Sequence, residues 1–360
     1  MLAAGFAEMT EVEPDEQPAE TSPPGTARSR LRKVLPAAAF LGGFLWDAVT
    51  LGRSIGTIDL VILLGYYIAA AVILVLIGRS VPFRFSRYLN YALQFLFGGI
   101  FSALVIFYFL SSSVLPGFTF VSALLMLLVA NEFLEKRYAQ LTLSWTLFTA
   151  CGIMLFNFVL PHAFRSINPA FFYLSTLLAL AATAIVRILS RQETARLWPA
   201  GVVATALLVL HAVNAIPPVP LVKKQMLIAH SIERKGGEYR LTVEPRTPLE
   251  RLRLSGATHR REGGRIYCFT SVFAPGGMQT VLSHRWEKFD PATKRWETMS
   301  RVSFPLSGGR REGYRGYSWK QNVSPGEWRI RAELPSGATV GILRFRIADE
   351  QPRPFRTIRL

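Results

Sequence analysis

The sequence predicts a multi-pass α-helical membrane bundle of about seven spans, followed by an antiparallel β-sandwich of immunoglobulin-like type. Residues 34–217 consist of long apolar runs bounded by charges, Pro or Gly. Residues 226–350 instead alternate short β-branched and aromatic runs with turns rich in Gly, Pro and Asp. The 360 residues are 50% hydrophobic and carry a net charge of +17, which excludes an ordinary soluble enzyme and a disordered chain.

The first 33 residues have the composition of a disordered cytoplasmic tail. Residues 1–27 carry six acidic residues, no basic residue and no apolar periodicity, and residues 28–33 then add four positive charges. No positive region precedes a long apolar core, so this is not a signal peptide. The tail is either simply solvated or a docking segment for a partner.

Seven apolar segments approach the roughly 20 residues that cross a hydrocarbon core. Helices are expected, because backbone polar groups in lipid must be bonded within their own segment. The first segment is the weakest, since it is short and contains Pro36, two glycines and Asp47. The segments are 34–51, 57–78, 89–110, 114–134, 140–160, 168–189 and 198–216.

Positive charges are distributed unequally between the two sides of this bundle. Alternate connections place twelve Lys and Arg residues on one side, but only Arg53 and Arg165 on the other. Because cytoplasmic loops are enriched in Lys and Arg, the N-terminus is expected in the cytoplasm of a bacterium. With seven spans the C-terminal module is periplasmic. If the first segment does not cross, six spans remain and the tail is expected on a different side.

Nine short strands are predicted beyond a Pro-rich linker at 218–225, and a basic tail at 351–360 follows them. Apolar alternation is clearest in the eighth strand, where Trp328 and Ile330 share one face and Arg329 and Arg331 the other. The strands are 226–232, 238–244, 249–257, 265–273, 279–288, 296–304, 314–320, 326–334 and 339–347.

Three motifs, in order on three of these predicted strands, resemble a bacterial family. They are His284-Arg285-Trp286, Arg315-Gly316-Tyr317-Ser318-Trp319-Lys320 and Gly326-Glu327-Trp328-Arg329-Ile330, followed by Gly337 and Phe345-Arg346-Ile347. Together they resemble the domain of unknown function 2914 over roughly residues 280–348. The resemblance implies an uncharacterised bacterial envelope protein with this module after a multi-pass membrane region. It brings no established activity and no catalytic residues.

Familiar catalytic and cofactor motifs are absent from the sequence. There is no phosphate-binding Gly-rich loop, no H-E-x-x-H and no G-x-S-x-G. The five histidines are scattered, and Cys151 and Cys268 fall in different domains. Burial is expected for Cys151 and favoured for Cys268, whose alternative is an intermolecular thiol. We therefore predict no metal and no cofactor, and a non-enzymatic role is favoured over catalysis.

Two groups of residues are candidates for a functional site. Asp47 and His211 are ionisable groups within predicted spans, and a contact between them would place a site inside the bundle. The second group combines basic and aromatic side chains of the β module, which either bind sugars, phosphates and carboxylates or form core and solvated surface. The second group is His284, Trp286, Arg315, Tyr317, Lys320, Trp328 and Arg329.

The leading functional hypothesis is an inner-membrane protein that presents a non-enzymatic binding module to the periplasm. Its expected partners are membrane lipid and an anionic envelope glycan, a lipid headgroup or another protein, with no nucleic acid and no nucleotide. The alternative is a transporter or membrane-embedded enzyme with its site between the helices, near Asp47 and His211. The third hypothesis is a sensor whose output comes from a partner, because the chain contains no output domain.

Overall fold

The computed structural model places an all-helical region before an all-β region. The chain divides into two compact units, Met1–Leu45 and Trp46–Leu360, and the fold below is that of the second. The predicted tail and most of the first predicted span lie outside the described residues. The described residues are 45, 47, 49, 55–79, 83–113, 115–133, 141–191, 196–236, 238–245, 255–259, 264–310, 313–321, 323–348 and 354–360.

Six helices lie in the described part of residues 55–212, and their apolar composition accounts for all of them. Asp59 stabilises the start of the first helix, at Thr57, by accepting a hydrogen bond from the Gly56 backbone N–H (3.0 Å). The helices are α1 (Thr57–Gly78), α2 (Phe83–Ser111), α3 (Leu115–Phe133), α4 (Leu141–Phe164), α5 (Ala170–Ser190) and α6 (Trp198–Ala212).

Four of these helices, rather than seven, are long and apolar enough to cross a membrane: α1, α2, α4 and α5. The apolar part of α3 ends at Val129, shortly before Asn131 and Glu132. Helix α6 has 15 residues, about 22 Å at about 1.5 Å per residue, against a core of about 30 Å. It ends at Ala212 because Asn214 adopts a positive φ of 55°. The predicted seven spans are thus corrected to four long apolar helices and two shorter ones among the described residues.

Three hydrogen bonds show which helix ends lie together. Arg79 Nε donates to the Leu189 carbonyl (2.9 Å), joining the C-terminal ends of α1 and α5. The Arg196 N–H donates to Thr142 Oγ1 (3.3 Å), joining the starts of α6 and α4. At the opposite end, which we call the junction end, Thr57 Oγ1 and His162 Nε2 are hydrogen-bonded (2.9 Å). The end where Arg79 and Arg196 form their hydrogen bonds is called the basic end. Its described positions include Arg79, Arg84, Arg87, Arg187, Arg191 and Arg196.

Eleven strands follow in the described residues, and each of the nine predicted strands has a counterpart. The first predicted strand, 226–232, covers the end of β1 and the start of β2, which are separate strands, and β11 lies in the segment assigned to a basic tail. The strands are β1 (Val222–Ala229), β2 (Ser231–Lys235), β3 (Glu238–Val243), β4 (Ser255–His259), β5 (Arg265–Phe273), β6 (Gln279–Asp290), β7 (Arg295–Ser307), β8 (Tyr314–Gln321), β9 (Gly326–Glu333), β10 (Thr339–Ala348) and β11 (Arg356–Arg359).

The strands form three sheets, which we name the middle sheet (β1-β5-β8), the five-stranded sheet (β4-β10-β9-β6-β7) and the outer sheet (β11-β3-β2). All pairs are antiparallel except β4 and β10, which run parallel. The prediction of purely antiparallel pairing is therefore wrong for this pair. Only strands joined by a tight hairpin must run antiparallel, and here the whole of β5–β9 separates the two partners.

The middle and five-stranded sheets share a hydrophobic core. Ile228 and Cys268 of the middle sheet lie in one buried cluster with Trp286, Ile330 and Phe345 of the five-stranded sheet. The alternation predicted for β9 and β10 is confirmed, because their apolar residues face this core and their arginines face away. The core thus fixes which side chains the five-stranded sheet presents to solvent.

The outer sheet covers the other face of the middle sheet, where Leu241 and Tyr239 pack on Phe269. The carboxylate of Glu244, just after β3, holds this arrangement by accepting bonds from two histidines. It contacts His230 (2.6 Å) and His259 of β4 (2.5 Å). Burial raises the pKa of Glu244, but these hydrogen bonds outweigh that effect and lower it overall.

The β module docks on the junction end of the helices. Ser166, in the loop between α4 and α5, forms an isolated parallel bridge with Gln279 at the start of β6. Ile167 packs against the second buried cluster of the module. The Arg165 side chain lies against Gly277, where a Cβ would approach its Cδ to 2.8 Å. The start of β6 is therefore the end of the strand nearest the helices.

Candidate anion-binding face of the β module

Three of the predicted site residues, His284, Trp286 and Trp328, lie in the core rather than on a surface. Their exposed fractions are 0%, 0% and 1%. The Trp286 indole N–H donates to Ser318 Oγ (3.0 Å) and that of Trp328 to the Ser324 carbonyl (2.9 Å). Because these groups are satisfied internally, they stabilise the module and cannot contact a ligand at its surface.

His284 is the centre of a buried polar network between the sheets. Its Nε2 is hydrogen-bonded to Thr270 Oγ1 (2.8 Å) and its Nδ1 to Ser318 Oγ (2.8 Å), while Phe304 packs edge-on against the ring. Burial lowers the pKa of His284 to about 3, so the ring is neutral. Ser318 thus joins the His and Trp of the first sequence motif to the second motif.

The three predicted residues of β8 divide between the two faces of the middle sheet. Arg315 and Tyr317 point away from the shared core, and Tyr317 is 44% exposed beside Tyr239 (6.3 Å) and Tyr267 (6.2 Å). Lys320 lies on the opposite face of the strand, paired in register with the buried Ile266. These three residues therefore do not form one site.

Arg329, the seventh predicted residue, belongs to an arginine array on the solvent side of the five-stranded sheet. Register places Arg301, Arg285 and Arg331 in one row across β7, β6 and β9. Arg329 lies directly opposite Arg344 of β10. We call the array the arginine face; its members are Arg285, Arg301, Arg329, Arg331, Arg344 and Arg346.

Glu333 is a buried carboxylate that holds one row of this face. Its side chain is 4% exposed and contacts Arg331 Nε (3.1 Å), Arg285 Nη2 (3.3 Å) and Arg301 Nη2 (3.4 Å). Three guanidinium groups therefore share a single carboxylate. Each retains further N–H donors, because a guanidinium carries five.

Glu287 fixes the neighbouring part of the face in the same way. Its buried carboxylate contacts Arg285 Nη2 (3.1 Å) and forms a short ion pair with Arg329 Nε. The Arg329 guanidinium also lies 4.4 Å from the centre of the Trp296 ring. Arg329 is thereby held between a carboxylate and an aromatic surface.

The arginine face carries more positive charge than its carboxylates balance. Among the described residues of the face, six arginines meet three glutamates, Glu287, Glu327 and Glu333, which leaves an excess of three positive charges. Burial lowers the pKa of Arg331; Glu333 raises it, and the neighbouring Arg285 lowers it further. Like charges directly opposite one another destabilise a sheet, so a bound anion would relieve this arrangement.

Most of the arginine face was missed by sequence reasoning, which treated these residues as a solvated surface. The alternation of arginines with core residues in β9 and β10 is visible in the sequence. The missing information is the register that brings β6, β7, β9 and β10 side by side. The buried positions of Glu287 and Glu333 also depend on it.

The two intramembrane candidates are separated by the fold. Asp47 accepts a hydrogen bond from Ser102 (2.6 Å), well within α2. His211 lies near the junction end of α6, where its ring stacks on Phe172 (4.2 Å) and meets Tyr173 edge-on. The described contacts thus hold Asp47 against α2 and His211 against α5, and none of them joins the two residues.

The described residues contain no cluster of three His, Cys, Asp or Glu side chains placed to hold a metal. In the group formed by His230, Glu244 and His259, the donor atoms bond to each other. Cys151 and Cys268 are both buried. Burial raises the pKa of Cys268 to about 12, so this thiol is a poor nucleophile.

Two solved structures similar to the chain differ from it strongly in sequence. A β-glucosidase from Listeria innocua in complex with gluconolactone is 8% identical (TM-score 0.19) and covers 34% of this chain and 16% of its own. The Pseudomonas fluorescens alkylpurine DNA glycosylase AlkC, bound to DNA containing an abasic site analog, is 11% identical (TM-score 0.22). The match covers 74% of this chain and 83% of the glycosylase. The chain thus spans less than two thirds of the glucosidase.

Comparison with curated protein sequences finds no match. The family comparison does find one, in the part of the chain that carries the three sequence motifs. The matched region contains all six residues of the arginine face. Residues 279–347 match the family described as protein of unknown function (DUF2914), which confirms the resemblance inferred from the motifs.

Proposed function

We propose that this chain is a bacterial inner-membrane protein whose arginine face binds acidic groups of an envelope glycan, without catalysis. The helices anchor the module, and the two sheets with a shared core support an immunoglobulin-like sandwich as its architecture. The observation that carries the proposal is the array of six arginines on one face, four of which are paired with two buried glutamates.

The arrangement of the helix ends supports a periplasmic module. The β module adjoins the junction end, whereas the basic end carries most Lys and Arg residues of the helical connections. Basic loops remain in the cytoplasm, so the junction end faces the periplasm. This argument does not depend on whether the first predicted span crosses the membrane.

Reporter fusions test this topology. A phosphatase that is active only after export, fused after Leu360, is expected to be active, while a cytoplasm-specific fluorescent reporter at the same place stays dark. Fusions truncated after Arg137, in a basic connection, serve as the control and should give the reverse pattern. Fluorescence without phosphatase activity at Leu360 would contradict the periplasmic assignment.

The geometry of the face suits carboxylate, sulfate or phosphate groups. Guanidinium groups bind such anions through two parallel N–H bonds. Glu287 and Glu333 hold Arg285, Arg329 and Arg331 in fixed positions, which reduces the entropy lost on binding. Arg344 and Arg346 are exposed and complete the face on β10.

The position of the face favours a polymer in the aqueous space over lipid headgroups. Gln279 contacts the helical region, and Arg285 follows six residues later, about 20 Å along the strand at about 3.3 Å per residue. Charges in water are screened over about 10 Å at 0.1 M salt. The headgroup layer is therefore a weak source of attraction at this distance.

The aromatic surface within the face favours a glycan over an acidic polypeptide. Trp296 lies beside Arg329 and also packs against Phe289 (5.3 Å between ring centres). An indole ring next to a guanidinium can pack against a sugar ring while the arginine binds the sugar's acidic group. A repeating acidic polysaccharide would meet both features together.

Binding of the full chain in nanodiscs of zwitterionic lipid to immobilised polygalacturonate tests the proposal. We expect retention at low salt, release at high salt and no retention on neutral dextran. The double variant R344Q/R346Q should bind about tenfold more weakly, because it removes two exposed guanidinium groups worth about 1.4 kcal/mol together.

The matched control is R356Q/R359Q, which removes the same charge from exposed arginines of β11 in the outer sheet. This variant should retain nearly full binding. Equal weakening by both double variants would reduce the effect to net charge and overturn the assignment to the arginine face. Equal or tighter binding of polyglutamate would instead favour an acidic protein and contradict the glycan assignment.

A further inference from the structure

A cavity of about 340 Å³ lies where the helices meet the β module, on a different surface from the arginine face. Its helical wall includes Asn157 of α4, Phe172 of α5 and His211 of α6. The opposite wall comes from the turn between β9 and β10, including Ser336. Its volume falls within the range of roughly 300–1,000 Å³ typical of small-molecule sites.

The polar groups of this cavity are amides, hydroxyls and an imidazole, and its amides keep donors and acceptors to spare. Asn168 Oδ1 accepts a bond from the Ala170 N–H (2.9 Å), which leaves its two amide N–H donors. Asn157 Nδ2 donates to the Tyr108 hydroxyl (3.0 Å), which leaves its carbonyl oxygen as an acceptor. The His211 ring, held against Phe172, hydrogen-bonds to the Pro169 backbone.

The cavity carries no countercharge for an ionic ligand. None of its described lining residues is Asp, Glu, Lys or Arg. The nearby Arg165 side chain lies against Gly277 instead. Since an ion that leaves water without a partner pays a large desolvation cost, the cavity selects an uncharged polar group.

The polar cavity adjoins exposed apolar helix surface, which suits the hydrocarbon chain of an amphiphilic ligand. It lies at the ends of α4–α6, where the chain passes from apolar helices to strands. Tyr173 lines the cavity and is 53% exposed, as aromatic residues are at a membrane interface. Leu177, one turn from Tyr173 on α5, is 64% exposed, and Leu210, next to His211 on α6, is 37% exposed, so both helices present apolar side chains beside the cavity.

We infer that this junction cavity binds the uncharged glycosyl headgroup of a membrane amphiphile, with the alkyl chain along α5 and α6. The amides of Asn157 and Asn168 and the His211 imidazole bond the sugar hydroxyls. The aromatic rings of Phe172 and Tyr173 border the sugar. Phosphocholine and phosphoethanolamine heads are rejected because the cavity offers nothing to balance their charges.

Hydrogen–deuterium exchange of the full chain in nanodiscs tests this inference, with octyl glucoside as the probe. Octyl phosphocholine, which has the same chain and a zwitterionic head, is the comparison ligand, and both stay below their micellar concentrations. Glucoside is expected to slow exchange in 165–173 and 334–340 about tenfold when present at ten times its dissociation constant. The phosphocholine should leave both segments unchanged.

Two variants obstruct the cavity from opposite walls, Ala212→Trp on α6 and Ser336→Trp in the β9–β10 turn, and both positions are exposed. Each should abolish the protection by glucoside. Val213→Trp is the matched control, because Val213 is 66% exposed, adjoins Ala212 and does not line the cavity. Absent protection, equal protection by both amphiphiles, or protection that survives both obstructing variants would each overturn the inference.

Discussion

Replacing Glu333 with Gln is expected to lower the free energy of unfolding of the β module by about 2 kcal/mol. The substitution keeps the shape of the side chain but removes the charge that Arg285, Arg301 and Arg331 share. Loss of one partner of a buried ion pair typically costs about 3–5 kcal/mol, and partial exposure of these arginines reduces that figure. Amide exchange in β6 and β9 should accelerate about thirtyfold in the full chain.

Glu327→Gln is the matched control for this variant. Glu327 lies on the same strand and the same face but is exposed, so its loss should change stability by no more than about 0.5 kcal/mol. Equal destabilisation by the two variants would show that Glu333 does not organise the arginine row.

Glu333→Gln also separates the structural role of the face from its proposed function. The variant raises the positive charge of the face by one, and for a flexible polyanion we expect this to outweigh the loss of fixed arginine positions. It should therefore bind polygalacturonate at least as tightly as the unmodified chain while being less stable. A destabilised module that also loses binding would instead indicate that the fixed geometry of the row matters more than its charge.

The strands could be predicted because local sequence determines them. In β9 and β10 the alternation of Trp328, Ile330, Leu343 and Phe345 with arginines marks the buried face directly. The same alternation identifies Trp328 as core. The parallel pairing of β4 with β10 could not be predicted, because nothing local to either strand encodes a partner so far away in the chain.

The candidate site was only partly predictable for the same reason. Residue type drew attention to His284 and Arg329 alike, although one is fully buried and the other lies on the opposite face of its sheet. Placing Arg301, Arg285 and Arg331 in one row requires the register of three strands. Composition therefore identified a basic module, and only the sheet order identified which arginines share a face.

The helices show a related limit of hydropathy. Apolar composition located α1 and α5 closely, because a run of about 20 apolar residues is a local property. Hydropathy could not decide whether Asp47 and His211 meet, because it places residues on a side of the membrane but not against particular neighbours. Asp47 instead bonds to Ser102, and His211 belongs to the junction cavity.

The module is expected to lose about 2 kcal/mol of stability between pH 7.5 and pH 5 through His284 alone. Burial lowers the pKa of His284 from 6.5 to about 3 in the folded state. Between these values only the unfolded chain binds the proton, so acid favours unfolding. The contribution is fully present above pH 6.5 and is lost as the pH falls below it, by about 1.4 kcal/mol per pH unit.

Exchange of the β6 amides in the full chain measures this effect, once corrected for the intrinsic pH dependence of exchange. Opening should be about thirtyfold more frequent at pH 5 than at pH 7.5. The variant His284→Asn can keep the hydrogen bond to Ser318 but has no titrating ring. We expect it to be less stable than the unmodified chain at every pH. Its stability should lack the pH dependence that His284 contributes. Every other titratable group remains in both proteins, so the difference between the two slopes isolates His284. Identical slopes would mean that the imidazole is protonated in the folded module, and that the network from Trp286 through Ser318 to Thr270 tolerates a buried charge.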